Sequence, residues 1–252
     1  MRASFVGFAF VQTAGNKPPF DEENRESPPS LRERRSATVP IMPAVASGTR
    51  PALVAGSSPF HAKGLVFQGA REILDKTVRG GTTNVLAAIS REDGSLARYL
   101  EGPFAAGSWY DALPLVPLFA TAARLRGVTP GKLTRELGAH LARRDLRGVY
   151  RAILQAGSLD AVALRLPELT VRYFDFGDVQ ISRSGAQTTV AKRTGIPDLL
   201  VPFVASFVEG FTPSALALVG AVDVRVTFQD PKNETVASRF PTVRLEWLVS
   251  WT

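Results

Sequence analysis

Val243-Arg244-Leu245-Glu246-Trp247-Leu248-Val249-Ser250-Trp251 closes the chain with apolar residues at every second position. That period of two is the mark of a strand with one face on a core and one toward water. Val222-Asp223-Val224-Arg225-Val226-Thr227-Phe228-Gln229 repeats it, and residues 229–241 join the two. Further back, Val179 and Ile181 oppose Gln180 and Ser182, and Ser184-Gly185 can turn the chain into Thr188–Lys192. This is the pattern of a hairpin. Four antiparallel strands are expected.

The remaining folded sequence reads as helical. Arg71–Val78 and Asn84–Ile89 flank an Arg79-Gly80-Gly81 turn. Ser108–Asp111 is read as opening a helix that runs to Arg126 and ends at Gly127, with an irregular first turn imposed by Pro114 and Pro117. Thr129-Pro130 places a cap before a proline at the first helical position, so one long helix is expected over residues 131–155. Helical turns are expected over 158–164 and 167–174, and Asp198–Val219 reads as a nearly wholly apolar helix bent near Gly210 and Pro213. Helices followed by strands define an α+β class, with helices packed on a four-stranded antiparallel sheet.

From Asn16 to Pro59 the composition shifts to Pro, Ser, Glu and Arg, as in Ser27-Pro28-Pro29-Ser30, which buries too little apolar surface to offset ordering entropy. Residues 1–60 are therefore expected to be a disordered N-terminal extension and residues 61–252 a single α+β ligand-binding-like domain, with Met42 an alternative start. The apolar run Ala3–Val11 is short for a signal segment and lacks a small-x-small cleavage site, so a cytoplasmic location is expected.

The 252 residues include no cysteine, which removes disulfides, thiolate metal sites and cysteine nucleophiles. The net charge of +7 is concentrated. Residues 131–155 carry 6 basic and 2 acidic side chains, whereas 156–252 carry 9 and 10. A nucleic-acid surface across the whole protein is not indicated. On the helix expected there, His140, Arg144, Arg147 and Arg151 share one arc, so Arg144, Arg147 and Arg151 form a candidate basic face. Asp145 falls in the apolar arc, where a carboxylate needs a partner, an arginine being the natural one. His61 has no recognisable companion. The segment Leu199–Gly220 is weighed as a membrane span and rejected on Pro202, Gly210 and Pro213 in favour of a buried helix presenting Phe203, Phe207 and Phe211. Asp175-Phe176-Gly177 spells a kinase magnesium triplet, but no glycine-rich loop or catalytic-loop motif accompanies it. No serine elbow, phosphate loop or paired carboxylates occur, so no catalytic residue, metal site or cofactor is assigned.

Several short pieces, in order, resemble a known family: Lys63-Gly64-Leu65-Val66-Phe67, Gly107-Ser108-Trp109-Tyr110, Leu146-Arg147-Gly148-Val149-Tyr150-Arg151, Tyr173-Phe174-Asp175-Phe176-Gly177, Val219-Gly220-Ala221-Val222-Asp223-Val224 and the terminal Trp251. Together, over about residues 63–251, they resemble an uncharacterised, largely myxobacterial paralogous family. That family is distantly similar to 4-vinyl-reductase-type small-molecule-binding domains, haem-dependent nitric-oxide-binding domains and acyl-holding vesicle-tethering subunits. The resemblance implies a hydrophobic pocket between helices and sheet, and frequent dimerisation. Its members often carry cysteines between the last two strands. Thr227–Arg239 here has none, and neither histidine matches a haem-ligand position.

The expected pocket lies between the helix of Phe203 and Phe207, the helix of Val149 and Tyr150, and the strand face of Trp247, with Trp109 and Tyr110 included. The expected function is a non-enzymatic sensor or accessory domain for an apolar small molecule such as an acyl chain. The alternative is a protein-interaction or homodimerisation module with no ligand.

Overall fold

The computed structural model describes residues 54–155, 158–234 and 240–252. The Ala3–Val11 run, Met42 and most of the expected extension lie outside the described residues. Described order begins at Val54, ahead of residue 61: the backbone N–H groups of Gly56 and Ser58 both donate to the Asp111 carboxylate, at 2.9 and 3.2 Å.

Two three-residue strands, β1 (His61–Lys63) and β2 (Trp109–Asp111), pair antiparallel. Ser108–Asp111 thus enters a strand and not the expected helix. Asp111 explains the change, since its carboxylate also accepts from Ser58 Oγ and the Leu113 N–H and ties the turn to the incoming chain. Helices α1 (Gly64–Thr77), α2 (Gly81–Glu92) and α3 (Gly94–Glu101) are longer or additional relative to the sequence reading, and α4 spans Leu115–Arg126.

Thr129 caps α5 by accepting from the Lys132 N–H, with Pro130 next in the chain, but α5 is Pro130–Asp145 and not 131–155. The chain leaves the helix after Asp145 and turns over residues 146–150, where the Tyr150 N–H reaches back to the Asp145 carbonyl at 2.8 Å. A single turn, α6 (Arg151–Leu154), follows. The two expected stretches of helical turns are one helix, α7 (Leu159–Tyr173), which accommodates Pro167.

The main sheet has the order β3-β4-β7-β5, with β6 also on β7, all antiparallel. Its strands are β3 (Val179–Gly185), β4 (Thr188–Pro197), β5 (Arg225–Phe228), β6 (Lys232–Asn233) and β7 (Thr242–Ser250). The hairpin turns at Ala186-Gln187, two residues later than the expected Ser184-Gly185. β7 is central and strictly alternates buried with half-buried residues, as its sequence demands. Between β4 and β5 runs α8 (Val201–Ala217), entered through one 3-10 turn. The stretch Asp198–Ala217 is long and apolar enough to cross a membrane, yet 61% of its most apolar window is buried inside the fold. It is a core helix in this structure.

α8 is held against α5 by glycines. A Cβ on Gly138 would meet the Phe207 carbonyl oxygen at 2.2 Å, and one on Gly210 would meet the Arg135 carbonyl oxygen at 2.0 Å. The two backbones therefore touch, with Arg135 and Glu209 pairing outside at 2.9 Å. Fully burying each ring of α8 contributes about 1.5–3 kcal/mol.

Candidate functional site

The interior is an aromatic column. Phe207, wholly buried, lies 5.5 Å from Phe174, 5.8 Å from Tyr173 and 5.5 Å from Phe211, ring centre to ring centre. Phe203 meets Phe119 at 5.4 Å, and Tyr150 meets Tyr173 at 5.8 Å. Trp247, on the inward sheet face, belongs to the same core and lies against Phe228. The expected Phe203, Phe207, Tyr150 and Trp247 are thus brought into one interior. Two others are not, and the third, Tyr110, is partly buried against the same core from the side of the small sheet. Val149 is 76% exposed because the chain unwinds before it. Trp109 is 42% exposed and lies beneath the Lys63 ammonium, while Tyr110 packs on Phe67 and Phe104 in the small sheet. Two surface grooves flank α6, one of about 430 Å³ lined by Ile153, Arg165, Glu168, Leu169, Val171 and Arg172, and one of about 330 Å³ that includes Leu154, Val162 and Val219. Neither reaches Phe203, Phe207 or Trp247.

The expected basic face is divided. Arg147 and Arg151 are exposed, but Arg144 turns inward to link α1, α5 and α7. It donates to Asp145 at 2.6 Å, to Glu72 at 3.0 Å and to the Leu65 carbonyl at 3.2 Å. Tyr173 donates to Asp145 at 3.0 Å, and His140 meets Glu72 at 2.5 Å. Asp145 therefore has the arginine partner that its apolar position required. Burial pushes the Glu72 carboxyl up, but the His140 hydrogen bond and the Arg144 charge outweigh it and hold it below its ordinary value. Burial and then the Asp145 charge push the Tyr173 hydroxyl far up. Every charge in this network has an opposite charge in contact, which is the arrangement of a structural brace.

Arg193 is different. It sits on β4 with no exposed surface, a residue that sequence reading passed over. Its Nη2 donates to the carbonyl oxygens of Phe176 and, at 3.4 Å, Phe174, and the guanidinium lies over both rings. No carboxylate touches it among the described residues, and its Nε and Nη1 have no acceptor. Burial lowers its pKa to about 10 against the pull of Asp175 and Asp178. It remains cationic at neutral pH.

The Asp175-Phe176-Gly177 triplet explains itself here. Asp175 is held by His61, whose Nδ1 lies at 2.5 Å, so His61 has a companion after all. Phe176 supplies the carbonyl and ring to Arg193. Gly177 has φ +78°, and a Cβ there would stand 2.1 Å from the Thr194 carbonyl oxygen. The one signal for Arg193 was an arginine in register with the inward residues Thr189 and Ala191.

No family model matches the sequence, and no curated protein does. Solved structures do. A Cs H-NOX mutant carrying 4-cyano-L-phenylalanine aligns at a TM-score of 0.56 and 11% identity, covering 75% of this chain and 96% of that one. A double mutant of Tt H-NOX aligns at 0.53 and 11%, covering 75% and 95%. A mutant of T. Tengcongensis H-NOX aligns at 0.54 and 8%, covering 74% and 95%.

Another H-NOX match concerns heme distortion in that family, so the fit of a haem can be asked of these residues. They do not fit it. His140 sits with Glu72 between α5 and α1 and His61 with Asp175 beside the small sheet, so neither belongs to the column beside α8, where Tyr173, Phe174, Phe207 and Phe211 are in ring-to-ring contact. What this chain shares with the H-NOX structures is their α+β fold.

Proposed function

We propose that this chain is a non-enzymatic sensor or accessory domain that takes an apolar small molecule, such as an acyl chain, between α8 and the inward face of the main sheet. Phe203, Phe207 and Trp247 are the walls of that site. The observation that carries this reading is Arg193: a charge taken out of water without a counter-ion costs several kcal/mol, of order, and such a cost is relieved when a guest supplies the missing group. A fold that in other proteins surrounds a small molecule supports it. So does the resemblance to the myxobacterial family and its acyl-holding relatives, to which we assign the chain. A cytoplasmic location accords with the absence of cysteine.

Mass spectrometry of the full chain under native conditions, followed by denaturation, tests the reading. A discrete mass released on unfolding is expected. A protein that is empty as isolated and takes up no long-chain amphiphile overturns it.

A second reading is favoured by one observation. Val171, 42% exposed, lines the groove on α7 together with Ile153 and Leu169, a surface that suits a partner or a second copy. Light scattering after size exclusion distinguishes the two, since a monomer at all concentrations removes the dimeric form of this alternative.

A further inference from the structure

The larger groove follows one face of α7. Arg165, Glu168, Leu169 and Arg172 fall at i, i+3, i+4 and i+7 of that helix, so they form a single stripe about 10 Å long. With Val171, and with Ile153 of α6, they line about 430 Å³. Leu169 is buried at 1% exposure and makes the floor, whereas Val171 and the three charged side chains are exposed.

The charges of this stripe are not paired. Glu168 stands three residues from Arg165 and four from Arg172, the spacings at which helical ion pairs close. Yet no carboxylate among the described residues lies within ion-pair distance of either arginine. Asp160, in the first turn of the same helix, does take up an arginine, Arg183 of β3. Two unpaired cations and one anion therefore frame an apolar floor. Their complement is a segment with an apolar stripe and with acids about two turns apart.

Shape and charge choose among occupants. A helix laid along α7 fills a trough of this length with one stripe of side chains. A bilayer surface is flat over such a span and would leave the Leu169 floor unfilled. A second copy related by a twofold axis would set the groove against itself, bringing Arg165 and Arg172 against their own counterparts in a like-charge contact.

The geometry points to an acidic amphipathic helix of another protein as the occupant of this groove. Its apolar stripe lies on Ile153, Leu169 and Val171, and its carboxylates, about seven residues apart, accept from Arg165 and Arg172. This deepens the partner reading above and rests on it. A guest beside α8 is neither required nor opposed, because the groove does not reach Phe203, Phe207 or Trp247.

The test selects binders to the immobilised full chain from a displayed library of random peptides of about 15 residues, the length at which a helix begins to hold. Enriched peptides are expected to carry acids about seven residues apart with apolar residues between them. Measured by fluorescence anisotropy, their affinity should fall about tenfold or more for the double variant Arg165→Glu, Arg172→Glu, and return when lysines replace the peptide's acids. Glu168→Lys should tighten binding several-fold, a gain that damaged folding does not produce. Enriched peptides without acids, or binding that the double variant leaves unchanged, overturn the acidic helix and leave the partner reading standing. A dimer that Val171→Asp dissociates gives the groove to a second copy and also overturns the proposal. Retention on phosphatidylserine vesicles that the double variant loses, with no peptide enriched, gives it to a membrane and overturns it. No enriched peptide, no vesicle binding and a monomer at all concentrations overturn both the proposal and the partner reading.

Discussion

Two arginines on neighbouring layers have opposite surroundings. Arg144 bridges Glu72 and Asp145, and Asp145 in turn accepts from Tyr173. Arg193, more deeply buried, touches carbonyls and rings but no anion. The lesson is that burial alone does not mark a ligand site. One buried charge has every partner present and braces three helices together, whereas the other has carbonyls and rings in place of an anion.

The contrast can be broken most forcefully at Asp145. Asp145→Ala strips acceptors from Arg144 and Tyr173, and urea denaturation should show a loss of about 3–5 kcal/mol. A loss below about 1 kcal/mol would mean that the brace does not hold the helices.

Gly138→Ala probes the seam between α5, which carries the brace, and α8, which walls the proposed guest site. Its Cβ would press on the Phe207 carbonyl oxygen, so a loss of about 1–3 kcal/mol is expected in the same assay, and an unchanged midpoint would show the helices free to separate.

Arg193→Met should have the opposite sign. With no guest present, stability should hold or rise by up to about 1–2 kcal/mol, because an uncompensated charge gives way to a side chain that packs. If it falls as far as in Asp145→Ala, the two arginines are equivalent and the comparison fails.

The smallest effect concerns acid. Glu72 ionises below its ordinary value of 4.5 in the folded protein, so its contribution is present above that value and is lost as pH falls below it. Glu72→Gln should flatten the fall in melting temperature between about pH 6 and about pH 3. Half exposure keeps the change small. An acid limb identical in both proteins would exclude Glu72 from it.

The sheet was legible because β7 alternates over nine residues, long enough for a period of two to be unmistakable. β1 and β2 were not, since three residues carry no period and their pairing spans distant segments. The continuous helix over 131–155 failed after Asp145, in a turn holding Gly148, a weak helix former, and closed by the Tyr150 N–H on the Asp145 carbonyl and the Tyr150 ring on Tyr173. That Phe203, Phe207 and Trp247 are buried could be read from apolarity alone. Arg193 could not, because a basic residue on a half-polar strand looks solvated until the register and the layer of Phe174 and Phe176 put it inside.

The glycine contacts between α5 and α8 have a mechanical consequence. With backbone against backbone at Gly138 and Gly210, there is no cushion of side chains to absorb a displacement. A substitution that moves the α8 backbone at Phe207 or Gly210 must therefore move the α5 backbone with it, and α5 in turn is tied to α1 through Arg144 and Glu72.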